Sequence, residues 1–264
     1  MPGPQFARQL SRRNVFNPYE SSRLLAEYLL FHYGSEEQIL GEHPGPREAL
    51  DFAVRCVHEL VDRGRVPAAA RALDVGCAVG RSCFELCRFC ASAIGIDFSH
   101  SFIQAARELK DRGELSFEMV VEGELCELAQ ARVPANLDRR RAEFRVGDAT
   151  NLPGDLGTFD VVLAANLICR LAEPVLFLRR LPGLIKPGGQ LVMTTPFTWL
   201  ADFTSPSKWL GGRKSDALRS FDVLKKILAQ DFELQLAKDL PFLIREHERK
   251  FQYGIALGCR WVRR

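Results

Sequence analysis

Three acids in this chain stand at the ends of short apolar runs, where a ligand could reach them. Asp74 lies at the end of the run Arg71 to Val75, Asp97 follows Ala93 to Ile96, and Asp148 follows Ala142 to Val146. Gly76 and Gly80 sit between the first acid and the segment Ser82 to Cys90, which has helical character. A turn with no side-chain bulk lets a ligand approach bare backbone, and the N–H groups that open the following helix favour a carboxylate or phosphate. Asp97, just over twenty residues beyond the turn and at the tip of the next strand, is placed to accept hydrogen bonds from a ribose diol. The chemistry implied is the binding of a nucleoside-bearing cofactor.

The elements that must position these acids alternate between strand and helix. Phe159 to Leu163 is apolar apart from Asp160, as a parallel strand covered on both faces should be, and its tip is Ala164, Ala165, Asn166, Leu167 and Ile168. A helix to about Leu184, the Lys186-Pro-Gly-Gly189 turn and a strand over Gln190 to Thr195 follow. A helix over Phe221 to Ala229 and apolar segments at 232–236 and 251–259 supply the end, with the final strand antiparallel. Before the first acid, Asn17 caps and Pro18 opens a helix running from Glu20 to Tyr33 and closed by Gly34. A hinge at His43 to Pro46 leads to a second helix, Glu48 to Arg63. The first helix is more aromatic than a surface helix needs. It either packs on the main body or covers a pocket, with Tyr19, Glu20, Arg23 or His32 facing inward. Residues 1–66 are therefore expected to form a helical extension or lid and residues 67–264 the main domain, with an irregular insertion near 114–141.

Composition bounds what the site belongs to. With 264 residues and 47% hydrophobic content the chain can bury one substantial core. A net charge of +3, with basic residues dispersed apart from Arg139 to Arg141, makes no case for nucleic acid. No apolar stretch has the length of a membrane span and the first residues lack an apolar signal segment, so a soluble, cytoplasmic protein is expected. Four of the eight cysteines, Cys77, Cys83, Cys87 and Cys90, fall close together. On a helix, 83, 87 and 90 share a face with Val79 and Leu86, which reads as core; no second C-x-x-C pair stands ready for a metal, and none is expected.

The dinucleotide fingerprint G-x-G-x-x-G is not met, because Ala78 and Arg81 occupy its second and third glycine positions. The run Leu73-Asp-Val-Gly-Cys-Ala-Val-Gly-Arg-Ser82 instead resembles motif I of class I S-adenosylmethionine-dependent methyltransferases. That resemblance implies an α/β Rossmann-like sandwich with a mostly parallel seven-stranded sheet and an antiparallel last strand. It also implies a cofactor site in which Asp74, Gly76, Cys77 and Gly80 wrap the methionine part and Asp97 takes the ribose. Asp148 and the Ala149 backbone then meet the adenine, while Phe98 flanks it or joins the core. Residues after the 159–163 strand face the methyl donor in such folds, which brings in Asn166 and Arg170. The product would be S-adenosylhomocysteine.

A narrower resemblance rests on segments spread along the chain: Asn17-Pro-Tyr-Glu20, Glu27 to Gly34, Leu73 to Ser82, Ala164 to Ile168, Pro196-Phe-Thr-Trp-Leu200, Pro241 to Glu246 and Arg249 to Gln252. They resemble the methyltransferase domain of ovothiol synthases. The resemblance implies methylation of an imidazole nitrogen of 5-thiohistidine (4-mercaptohistidine) to give ovothiol A. Ala78 is then a family trait, whereas Cys169 departs from an expected aspartate. The H-x-x-x-H-x-E run of the iron-dependent sulfoxide synthase does not occur in the sequence, so a separate sulfoxide synthase would supply the substrate.

The acceptor's thiolate is softer than its ring nitrogen, so the pocket must control orientation. Asn166, Glu246 and His32 are the candidates to bond the imidazole and take its proton. Arg170 or Arg245 could hold an anionic group, and Glu20 or Glu246 the ammonium; Tyr19, Arg23, Phe197 and Trp199 complete the substrate side. Another small metabolite or a peptide histidine as acceptor, or a cofactor-binding protein without catalysis, are the alternatives.

Overall fold

A computed structural model of the chain describes residues 18–264; the expected cap at Asn17 lies outside them. Seven strands form one sheet in the order β5-β2-β1-β6-β7-β9-β8. These are β1 (Arg71–Val75), β2 (Ser92–Asp97), β5 (Ala142–Val146), β6 (Phe159–Ala165), β7 (Ile185–Thr195), β8 (Phe232–His247) and β9 (Lys250–Arg263). Pairings from β5 through β7 are parallel, and β9 runs antiparallel to both β7 and β8. The order reverses at β1 and β6, which opens a crevice at their carboxyl ends, the place where α/β sheets of this kind bind ligands. This is the expected α/β Rossmann-like methyltransferase fold.

The central strands are apolar on both faces because helices cover both. Cys83, Phe84 and Leu86 of α4 (Arg81–Leu86) and Phe102, Ile103 and Ala106 of α5 (His100–Arg112) are buried on one side. Phe177 and Leu178 of α6 (Pro174–Arg180) and Leu224 and Leu228 of α7 (Ser220–Leu228) are buried on the other.

A second layer stands above the carboxyl edge and is assembled from three distant parts of the chain. The first is α1 (Ser22–Tyr33), capped by the Ser21 hydroxyl, together with α2 (Glu36–Leu40), whose Ser35 and Gln38 form a reciprocal capping box. The second is a hairpin of β3 (Glu114–Glu122) and β4 (Leu125–Arg132), the irregular insertion of the sequence. The third is the far half of the β8–β9 hairpin, which outruns the sheet: β7 ends its pairing at Thr195 opposite Leu257, while β8 and β9 stay paired to His247 and Lys250. Leu30, Leu40, Met119, Ala129 and Leu243 share a small core among these pieces. Phe31 stacks on Phe52 at 5.8 Å, and Phe52 meets Phe242 at 5.3 Å.

Several boundaries differ from the sequence reading. The expected helix 48–63 is reduced to α3 (Phe52–Leu60) behind a 3-10 turn, because Asp51 takes a left-handed conformation (φ 53°) that breaks the run. The helix after the glycine turn stops at Leu86, short of Cys90. The helix expected before Leu184 is shortened to α6, with Pro182 in the 3-10 turn that follows. α2 had no counterpart in the sequence reading, since Gly34 looked like the end of helix there.

Candidate cofactor and acceptor site

Asp74 has no solvent exposure, and its Oδ2 accepts the Ser82 hydroxyl at 2.6 Å. Its Oδ1 is equally buried and has no hydrogen-bond partner. Burial pushes its pKa up to about 7; the Ser82 hydroxyl opposes the shift and the charge of Asp97 adds to it. An unpaired buried carboxylate oxygen is costly and calls for a cationic or N–H partner, so this acid fits the ammonium of a bound amino-acid group.

The glycine turn is fastened to the neighbouring strand. Gly76 and Cys77 donate their N–H groups to the Ile96 carbonyl at 2.7 and 3.1 Å. Ala78 holds a left-handed conformation (φ 46°) that is unfavourable for alanine, and its N–H donates to Asp97 Oδ2 at 2.9 Å. Gly80 (φ 86°) is required for space as well as conformation, since a Cβ there would come 2.7 Å from the Phe144 ring. Cys77 is buried against β2, where a Cβ on Gly95 would meet its Sγ at 2.8 Å.

Asp97 is the node that joins three strand tips. Its Oδ1 accepts Ser99 N–H and its Oδ2 accepts Ala78 N–H, both at 2.9 Å, while its carbonyl accepts Gly147 N–H from the tip of β5 at 2.9 Å. Burial raises its pKa although these N–H bonds oppose the shift. A carboxylate has about four lone-pair sites, so two backbone bonds orient it and leave acceptor capacity for a diol. Asp148 Oδ1 accepts both the N–H and the hydroxyl of Thr150, at 2.7 and 2.8 Å, with Ala149 buried beside it. Phe98 is 59% exposed at the mouth, which removes the core alternative for this ring.

The N-terminal segment is fixed on the same turn. The Tyr19 carbonyl accepts the hydroxyls of Ser99 and Ser101 at 3.0 Å each, and the Glu20 carboxylate accepts the N–H groups of His100 and Ser101 at 2.8 and 3.2 Å. Glu20 thus caps α5. Against a burial cost, those N–H bonds hold its carboxyl below the usual range. The Tyr33 hydroxyl donates to the Val79 carbonyl at 2.8 Å, fastening the other end of α1 to the glycine turn.

On the acceptor side, Asn166 is left-handed (φ 50°) at the tip of β6, and its Oδ1 accepts the Thr194 hydroxyl at 2.9 Å. Arg170 donates to the Thr198 carbonyl at 2.9 Å, and its guanidinium lies 4.9 Å over the Phe203 ring. Phe197 is also left-handed (φ 51°). Trp199 donates to the Ser220 hydroxyl at 2.9 Å and stacks on Trp209, which anchors the loop.

The other sequence candidates divide differently. His32 is buried among Tyr28, Phe31 and Tyr33; its Nδ1 has no partner, and burial, reinforced by the Arg81 charge, pushes its pKa down to about 3. Glu246 pairs with Lys250 at 2.7 Å and accepts from Gln252 at 2.8 Å, and these bonds hold its carboxyl low. Arg245 donates to the Gln38 carbonyl, and Arg23 pairs with Glu27 at 3.1 Å. Arg245, Glu246 and Glu27 line a small cavity between α1, β3 and β8. The three residues read from sequence as catalytic therefore have separate sets of partners. Tyr28 and Phe203 were not singled out as site residues; Tyr28 lies one helical turn before His32, a spacing that could have drawn attention to it.

Cys83, Cys87 and Cys90 are buried in the core with Cys77, and burial pushes the thiols of Cys87 and Cys90 up to about 12. Among the described residues no cluster of His, Cys, Asp and Glu is arranged to hold a metal ion, and no helix is long and apolar enough to cross a membrane.

Residues 73–193 match the family model described as Methyltransferase domain. The chain is 28% identical over 125 residues to a ubiquinone biosynthesis O-methyltransferase of Bradyrhizobium diazoefficiens, covering 47% of this chain and 39% of that protein. It is 25% identical over 174 residues to norajmaline N-methyltransferase of Rauvolfia serpentina, covering 64% and 51%. The matched stretches thus span between about two fifths and one half of these relatives' lengths. Among solved structures, the [4+2]-cyclase SpnF has the same fold, with a TM-score of 0.58 and 18% identity over 93% of this chain and 94% of that one. The likeness to a cyclase shows the fold alone, since one fold hosts several reactions. Residues 73–193 are thus similar to a methyltransferase domain, and the acids at three strand tips and the unpaired Asp74 oxygen fit the S-adenosylmethionine cofactor of that family.

Proposed function

We propose that the chain is an N-methyltransferase that transfers the methyl group of S-adenosylmethionine to an imidazole nitrogen of 5-thiohistidine, giving ovothiol A. The observation that supports this acceptor is where the segments resembling the ovothiol-synthase domain lie. Tyr19 and Glu20 clasp the Asp97 turn, α1 covers it, Asn166 and Arg170 follow the β6 tip, Phe197 and Trp199 follow β7, and residues 241–246 join the lid core. Segments far apart in sequence thus meet over one carboxyl edge. The relatives named for ubiquinone biosynthesis and norajmaline favour a small-molecule acceptor.

Bound at this edge, S-adenosylmethionine supplies an electrophilic methyl group with a neutral thioether as leaving group. Asp74 would hold its ammonium, Asp97 its ribose, and Asp148 with Ala149 its adenine. The remaining task of the chain is to hold the acceptor nitrogen in line and keep water out. As that nitrogen gains its methyl group, the imidazolium formed must shed its other N–H proton. The Asn166 carboxamide is not basic and cannot take that proton, so its role is to orient the ring. His32, with its pKa near 3, is a neutral imidazole at physiological pH. Cys169 is buried, and burial raises its thiol pKa, so it does not replace the anionic charge of the aspartate expected there. In this reading a sulfoxide synthase supplies the thiohistidine.

The test incubates the protein with methyl-labelled S-adenosylmethionine and thiohistidine, histidine or a histidine peptide. Label in an N-methylated thiohistidine supports the reading; label only in the peptide replaces the acceptor.

A further inference from the structure

Two residues that follow strand ends at the carboxyl edge carry left-handed backbone without being glycine, Asn166 at φ 50° and Phe197 at φ 51°. Such conformations cost free energy and persist only where the surroundings impose them. Adjacent threonines of β7 supply the restraint. The Thr195 hydroxyl accepts the Phe197 N–H at 3.0 Å, while Thr194 holds Asn166 through three bonds. The Asn166 N–H is shared between the Thr194 carbonyl at 2.8 Å and the Thr194 hydroxyl oxygen at 3.0 Å, and that hydroxyl donates to Asn166 Oδ1 at 2.9 Å. The carbonyl bond extends the β6–β7 ladder one residue past the Ala165–Thr194 pair. It already satisfies the Asn166 N–H, so what the hydroxyl adds is a hold on the side chain. The held residue lies beside the glycine turn: a Cβ on Gly76 would come 2.9 Å from Cδ1 of Leu167, the neighbour of Asn166.

We propose that Thr194 is a positioning residue for methyl transfer, whose hydroxyl clamps the Asn166 carboxamide in the orientation that meets the acceptor. This rests on the reading above, in which Asn166 orients the acceptor ring. Thr194 has no solvent exposure, so its hydroxyl cannot touch an acceptor and acts on it only through Asn166. One hydroxyl carries a proton and two lone pairs, enough to serve the Asn166 N–H and carboxamide together. A valine of the same shape serves neither, yet leaves the carbonyl bond of the ladder in place.

The experiment has two arms. The first measures side-chain nitrogen relaxation of the Asn166 carboxamide in the S-adenosylhomocysteine-bound protein, for wild type and Thr194→Val. The carboxamide should be ordered in wild type and mobile in the variant; equal mobility would overturn the clamp whether or not thiohistidine is methylated. The second follows methyl transfer from S-adenosylmethionine to thiohistidine for wild type, Thr194→Val, Thr194→Ser, Asn166→Ala and Thr194→Val with Asn166→Ala. Thr194→Val should lose about tenfold in kcat with KM within about threefold, and Thr194→Ser, which keeps the hydroxyl, should stay within about threefold of wild type. On the Asn166→Ala background Thr194→Val should cost less than about twofold more, because the residue it acts through is gone. S-adenosylhomocysteine affinity within about twofold of wild type in every variant reports that each one folds. An unchanged kcat in Thr194→Val, no rescue by serine, a full further loss on the Asn166→Ala background, or a parallel loss of S-adenosylhomocysteine affinity would each overturn the proposal. Wild type without transfer to thiohistidine would contradict the acceptor reading instead, and the relaxation arm would still decide the clamp.

Discussion

The Asp97 carboxylate accepts the backbone N–H of Ala78 at 2.9 Å and so ties the tip of β2 to the left-handed turn after β1. In the proposed reading the same acid that orients this turn also takes the ribose of the cofactor. Asp97→Ala should therefore lose more cofactor affinity than the diol contacts alone account for, about 100-fold or more for S-adenosylhomocysteine by calorimetry. Asp97→Asn, which can still accept the Ala78 N–H, should lose about tenfold. Equal losses in both variants would mean that the turn does not depend on Asp97.

Asp74 should couple cofactor binding to protons. Its carboxyl ionises near 3.8 in an unfolded chain and near 7 in the fold, so the folded state holds an extra proton between those values. The stability of the ligand-free protein should fall as pH rises through that window. A cofactor ammonium beside Asp74 favours the charged form, so binding should release a proton. Binding enthalpies at pH 6 in buffers of different ionisation enthalpy should show a release approaching one proton, absent in Asp74→Asn.

His32 behaves in the opposite sense. Its pKa is lowered to about 3, so the stability linked to its neutral form is present above the unfolded value of 6.5 and is lost as pH falls toward 3. Over an assay range of about pH 6 to 9 it should contribute no limb to the kcat/KM profile. Profiles of wild type and His32→Asn should share their apparent pKa values; loss of a limb in the variant would assign that limb to His32.

Gly80→Ala places a methyl group 2.7 Å from the Phe144 ring in a left-handed conformation, and should cost about 2 to 4 kcal/mol in urea unfolding. Adding Phe144→Leu should recover part of that loss. No recovery would mean that backbone conformation, and not the ring, sets the cost.

The strand tips that carry Asp74, Asp97 and Asp148 were legible in the sequence because their signals are local. An acid at a strand end, a glycine turn and a second acid one strand later are all visible within short windows, and Asp74, Asp97 and Asp148 follow three neighbouring strands. The acceptor half depends on contacts between remote segments. That Glu20 caps α5 and that Arg245 donates to Gln38 follow from how the N-terminal segment packs on the sheet, which helical spacing does not report. Phe98 remained ambiguous for a related reason, since exposure is a tertiary property. The lengths of β8 and β9 were underread because Lys238, Asp239 and Pro241 interrupt the apolar pattern where the hairpin leaves the sheet.

The most direct measurement of the central claim is single-turnover transfer of labelled methyl from S-adenosylmethionine to thiohistidine, with the product resolved by mass and by carbon chemical shift. One N-methyl group on the imidazole, formed at a rate that falls in Asp97→Ala, is the predicted result. Tight S-adenosylhomocysteine binding without any transfer to thiohistidine would contradict it.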